Sequence, residues 1–87
     1  MSENLNLLRS AIDNLDNEIL QALAKRMKLS DQVIAAKNGA TAFRPGREAA
    51  LVRQLVINSE SNGYDLSPSV ILGVWRQIMA ASLSRQK

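Results

Sequence analysis

The chain has 87 residues and a formal net charge of +3, with no cysteine and no histidine. Those absences exclude disulfides, thiolate nucleophiles, thiolate or imidazole metal sites and the commonest general base. Chemistry is left to carboxylates, lysine, arginine, amides and hydroxyls, and so to binding and charge. The 11 basic residues are interspersed with the 8 acidic ones, which argues against a nucleic-acid surface. The opening MSENLNLL has no basic region followed by an apolar run, and no stretch approaches about 18 continuous apolar residues. The reading is of a cytoplasmic, soluble chain with no membrane segment. A hydrophobic content of 46% with single Phe, Tyr and Trp residues favours packed helices over sheet. Residues 1–87 read as one small all-α domain, near the size where a single core is marginal and oligomerisation often supplies the missing burial.

Helix 1 is predicted over about 5–38, because no Pro or Gly interrupts the run before Asn38-Gly39, a C-terminal cap signature. Its apolar stripe is Leu8, Ile12, Leu15, Ile19, Ala22, Arg26, Leu29 and Val33, stepping by four and three as one helical face does. Arg26 stands in that stripe where a hydrophobe is expected. A guanidinium on a core face is costly unless an anion meets it, so Arg26 calls for an internal carboxylate partner or for a ligand. Lys37 follows Arg26 by eleven positions, within about 20° of it around the axis. Such a lysine either joins the same site or snorkels at the helix end.

Residues 40–44 form a connector. Pro45 then suits the first turn of helix 2, expected over about 45–60 with Leu51, Val52, Leu55 and Val56 on its apolar face and a break at Ser61, Asn62 and Gly63. Glu48 shares that face, beside Arg47, and is either a first-turn acid favoured by the helix dipole or a pocket carboxylate. Ser67-Pro68 opens helix 3, over about 67–85, through Ile71, Val74, Trp75, Ile78, Met79 and Ser82. Ser82 and Gln86 continue its inner line, as frayed-end residues reaching solvent or as hydrogen-bonding groups of a site.

Taken together, Arg26, Lys37, Glu48, Ser82 and Gln86 on the inner faces of three helices suggest a polar pocket in an aliphatic bundle, suited to a small polyanion that bears a hydroxyl. Helix 1 would be about 50 Å long, against a radius of gyration near 12 Å for a compact monomer of this length. The excess asks for cover from a second copy, in an antiparallel or intertwined homodimer. Arg9 lies about 25 Å from Arg26 along the axis. It joins that site only in trans, from the partner's helix.

The pattern resembles the all-α chorismate mutase family over essentially the whole chain. The resemblance rests on Leu8-Arg9-x-x-Ile12-Asp13-x-Leu15-Asp16, Leu23-Ala24-x-Arg26, Val33-x-x-x-Lys37, Arg44-Pro45-Gly46-Arg47-Glu48 and Trp75-x-x-Ile78-Met79-x-x-Ser82-x-x-x-Gln86. The same kind of module occurs alone or fused to prephenate dehydratase. The resemblance implies an intertwined homodimer of three-helix chains converting chorismate to prephenate on the route to phenylalanine and tyrosine. It further implies that Arg26, with the partner's Arg9, grips the substrate carboxylates and that Lys37 and Gln86 flank the ether oxygen. Glu48 then accepts the substrate hydroxyl, Ser82 contacts a carboxylate and Arg47 supports the charge network. Arg44 stands where many members carry an acid and is not assigned to the site. The rearrangement needs no proton transfer, metal or organic cofactor. Other readings are an isochorismate pyruvate lyase, a non-catalytic domain sensing chorismate or prephenate, and a generic helical dimerisation module.

Overall fold

The structure, a computed structural model, describes residues 2–36 and 45–84. Three helices follow one another, α1 (Ser2–Ala36), α2 (Pro45–Asn62) and α3 (Pro68–Ser84), with no strand among the described residues. The all-α expectation and the three-helix order agree with this. Two helix ends differ from the sequence reading. α1 starts at Ser2 instead of Leu5, with Glu3 in its first turn, where an acid suits the positive end of the helix dipole. α2 runs to Asn62, because Ser61 and Asn62 are polar without being helix-breaking and only Gly63 stops the chain.

By internal packing the chain divides into two units, Met1–Gln32 and Val33–Lys87. The first consists of α1 up to Gln32. No residue of α1 is buried, and Leu8, Ile12, Leu15, Ile19, Leu29 and Val33 of the predicted stripe are all exposed. Half-burial appears instead at Leu23, Arg26, Met27, Ser30, Asp31 and Ile34. At 100° per residue that face is centred about 80° from the apolar stripe. Arg26 lies near the middle of the stripe and at the edge of the half-buried face.

In the second unit, α2 packs on α3 and residues 63–67 connect them, making an antiparallel helical hairpin. The end of α2 is a Schellman cap. Gly63 adopts a left-handed φ of 67°, its N–H donates to the Glu60 carbonyl at 3.2 Å, and the Tyr64 N–H donates to the Ser59 carbonyl at 3.0 Å. Asp65 is left-handed as well, at φ 56°, a conformation that Asp tolerates better than most side chains. Ser67 then caps α3. Its carbonyl accepts from the N–H groups of Val70 and Ile71, and its Oγ accepts from the Val70 N–H at 3.3 Å. Pro68 in the next position has no N–H to leave unpaired.

The two helices of the hairpin carry matching stripes. On α3, Ile71 and Met79 are the buried apolar side chains among the described residues, at 3% and 8% exposure, and Trp75 and Ile78 are half-buried. Val74, expected on the same face, is 48% exposed. It lies about 70° from the centre of the line through Ile71, Trp75, Ile78 and Ser82 and falls off the covered edge. On α2, Glu48, Leu51, Val52, Leu55 and Val56 are half-buried and Ser59 is buried. The centre of each stripe therefore ends on a buried serine, Ser59 at 5% and Ser82 at 9% exposure.

The two serines differ in hydrogen bonding. Ser82 Oγ donates to the Ile78 carbonyl at 3.1 Å, whereas Ser59 Oγ is buried with no hydrogen-bond partner. A buried hydroxyl without a partner retains its desolvation cost with nothing to offset it. Ser59→Ala removes that group and raises helix propensity. The expected outcome is a gain of about 1 kcal/mol in unfolding free energy, measured by urea titration. A loss of that size would show that the hydroxyl is paired.

Candidate functional site

The sequence-predicted site residues fall on all three helices. Arg9 is exposed near the start of α1, and Arg26 is half-buried two-thirds of the way along it, both within the first unit. Arg47 and Glu48 occupy the first turn of α2, Arg47 exposed and Glu48 half-buried, and Ser82 is buried in the last turn of α3. Lys37, Arg44 and Gln86 lie outside the described residues.

The hairpin brings Glu48 and Ser82 to one end. Each stands 14 residues from the connection, Glu48 before Asn62 and Ser82 after Pro68, a rise of about 21 Å along either helix. Position along a helix thus gathers the acid and the hydroxyl that periodicity had placed on facing stripes. Glu48 is suited to this location twice over. Its carboxylate is in the first turn, where exposed N–H groups favour an anion, and it lies on the half-buried face, where a hydroxyl donor is held in a less aqueous setting than at the surface.

Ser82 has one hydroxyl proton, and it is directed at the Ile78 carbonyl. To donate to a carboxylate, the side chain has to turn from that carbonyl. Among the described residues, only Ser82 of the expected set is buried. Arg26 takes part in an interaction within the chain. A planar guanidinium presents five N–H donors, enough to keep one contact while forming a paired contact with a carboxylate.

The other end of the hairpin differs. An open groove of about 540 Å³ is lined by Ser59, Glu60, Gly63, Asp65, Leu66 and Ser67. It holds no expected site residue, and two of its lining residues are acids. Glu48 is about 16 Å away along α2. The groove therefore has the wrong charge and the wrong location for the polyanion that the cations of this chain suit. Sequence periodicity had not marked it, because the left-handed conformations of Gly63 and Asp65 shape it. No group of three His, Cys, Asp or Glu side chains among the described residues could hold a metal ion, and none of the described helices is long and apolar enough to cross a membrane.

Comparison with known proteins covers the same length of chain. The chorismate mutase type II family model matches residues 8–87. The T-protein of Haemophilus influenzae is 35% identical over 97% of this chain and 22% of its own length. The bifunctional chorismate mutase/prephenate dehydratase of Aquifex aeolicus is 32% identical over 98% of this chain and 24% of its own length. The T-protein of Enterobacter agglomerans is 31% identical over 99% of this chain and 23% of its own. The chain thus spans about a quarter of the length of these relatives. No solved structure matches it significantly.

Proposed function

This chain belongs to the chorismate mutase type II family, and we propose on that footing that it converts chorismate to prephenate. The observation that carries the reading is the family match over residues 8–87, which includes every expected site residue. The reaction is an intramolecular rearrangement in which a C–O bond breaks as a C–C bond forms. What the protein must do is hold a flexible dianion in its compact, reactive conformer and stabilise the negative charge that grows on the ether oxygen.

We assign the roles as follows. Arg26 grips one substrate carboxylate with its planar fork, and the partner's Arg9 grips the other. Lys37 and Gln86 donate to the ether oxygen, Glu48 accepts the substrate hydroxyl, Ser82 contacts a carboxylate and Arg47 supports the charge of the first turn of α2. Because every contact is a hydrogen bond or a charge, the lack of His and Cys is no handicap to this chemistry.

The homodimer is part of the proposal, and α1 supports it in two ways. Its apolar stripe is exposed from Leu8 to Val33, a face that a second helix of the same kind would cover. Its charge is also asymmetric. Glu3, Arg9, Asp13, Asp16 and Glu18 sum to −3, whereas Lys25, Arg26, Lys28 and Asp31 sum to +2. Antiparallel pairing of two copies sets the acidic half of each against the basic half of the other, and parallel pairing sets like against like. The antiparallel arrangement is also the one that carries Arg9 towards the partner's Arg26.

Three measurements test these assignments. Arg26→Ala and Lys37→Ala should each lower kcat/KM about 100-fold, corresponding to about 3 kcal/mol of transition-state stabilisation, while the melting temperature moves little. Prephenate formation is followed directly, and salicylate plus pyruvate from isochorismate would instead assign the lyase reaction. If Arg9 acts in trans, mixing inactive Arg9→Ala and Arg26→Ala chains restores activity, since a mixed dimer contains one site with both arginines. Unrestored activity in a verified mixed dimer would place both arginines in one chain's site. An amide at position 86 donates at any ordinary pH, whereas a carboxyl group donates only when protonated. Gln86→Glu should therefore lose activity as pH rises through the carboxyl range, moving the optimum towards acid. An unchanged pH profile would remove Gln86 from the ether oxygen.

A further inference from the structure

The turn that closes the α2–α3 hairpin contains an Asn-Gly pair, Asn62-Gly63, at the Schellman cap of α2. Both residues are exposed. A Cβ added to Gly63 would meet nothing within 4 Å, so water reaches this junction unobstructed. Yet the two groups that react in Asn-Gly chemistry are both held by hydrogen bonds. The Gly63 N–H donates to the Glu60 carbonyl at 3.2 Å, and the Asn62 Nδ2 donates to the Asn58 carbonyl at 2.8 Å.

We propose that Asn62-Gly63 is a spontaneous deamidation site whose rate is set by opening of the α2 cap and whose product loosens the hairpin. The reaction begins when the Gly63 nitrogen loses its proton to solvent base and attacks the Asn62 side-chain carbonyl carbon. A C–N bond forms there, the bond from that carbon to Nδ2 breaks, and ammonia leaves after taking a proton from water. One water molecule then opens the cyclic imide at either of its carbonyls, giving aspartate or an iso-aspartyl linkage. No oxidant, reductant or enzyme is required. Glycine favours the attack because it has no side chain to obstruct the approaching carbonyl.

The cap controls both reacting partners. While the Gly63 N–H is bonded to Glu60 and the Asn62 amide to Asn58, the nitrogen is neither free to lose its proton nor aligned on the side-chain carbon. Fraying of the last turn releases both, and such local openings are more frequent than global unfolding. The product then works against the structure that restrained it. A carboxylate at position 62 sits at the negative end of the α2 dipole and lacks the donor that bonded Asn58. The iso-aspartyl linkage also adds a methylene to the main chain between positions 62 and 63. That length is incompatible with the pair of bonds that Gly63 and Tyr64 make to Glu60 and Ser59. Since Ser59 is both a cap acceptor and a buried residue of the hairpin, loosening the cap reaches the α2–α3 packing.

The test follows residue 62 by peptide mapping and mass spectrometry during warm, mildly alkaline incubation of the folded chain and of the chain in concentrated urea. Asn62 is expected to convert in both, about tenfold to a hundredfold more slowly in the folded chain. Amide deuterium exchange at Gly63 and Tyr64 is expected to be at least about tenfold faster in the converted, refolded chain than in the unconverted one. Asn62→Gln, which keeps the amide but closes the ring poorly, is expected to show neither change under the same incubation. Equal rates in folded chain and urea would overturn the control by the cap. A folded chain unmodified after several hundred half-lives of the urea reaction would overturn the site itself. Faster exchange in incubated Asn62→Gln would assign the loosening to another position, such as Asn38-Gly39, and overturn the proposed consequence.

Discussion

The rest depends on the cover that α1 calls for: a long apolar stripe with a guanidinium in its middle, in a helix with no buried residue among those described. Leu8, Ile12, Leu15, Ile19 and Leu29 are all exposed, and covering such side chains is worth up to about 1.5–3 kcal/mol each. In the hairpin, by contrast, Ile71 and Met79 are the buried apolar residues among those described. The apolar stripe of α1 therefore retains hydrophobic driving force for association. The proposed pairing of two chains satisfies that face and gives Arg26 the anionic surroundings its position demands, which joins assembly and substrate binding in one requirement.

Arg26 also shows why a misplaced charge is informative. The stripe predicted from periodicity and the face half-covered in the structure are separated by about one residue step around α1, and Arg26 belongs to both. Arg26 has an interaction within its own chain, and the five donors of a guanidinium leave capacity for a further partner. Lysine, a compact charge without a planar fork, lacks the paired, parallel donors that match a carboxylate. The same reasoning separates Glu48 from the exposed acids of the chain. It is the acid of the first turn of α2 and lies on that helix's half-buried face, so backbone N–H groups and reduced hydration act on one carboxylate.

The hairpin is built from two serine-terminated stripes, and their unequal hydrogen bonding has a structural origin. Ser82 follows Ile78 by four residues and returns its proton to that carbonyl, a local bond available to a helical serine. Ser59 occupies the equivalent place on α2, and its carbonyl is engaged by the Tyr64 N–H in the cap, while its hydroxyl is left unpaired. Closing the turn and burying the end of α2 thus fall on the same residue. The cap, the unpaired hydroxyl and the reactive Asn-Gly bond all lie within one turn of chain.

Much of this was legible in residues alone. The absence of Pro and Gly within α1, the Ser-Pro start of α3 and the glycine that ends α2 determine three helices, because caps and φ preferences act within a few residues. The motif spacing likewise determined the family. Local rules did not reveal that α2 continues to Asn62, that Asp65 is left-handed, or that Val74 lies outside the covered edge of α3, since each depends on how far the Schellman cap and the neighbouring helix reach. Periodicity says which side chains share a face, and only tertiary packing decided which face is covered. That is why Ser59 and Ser82 are buried while the more apolar stripe of α1 is exposed: burial is a property of the surface packed against a residue, and not of the residue's own hydropathy.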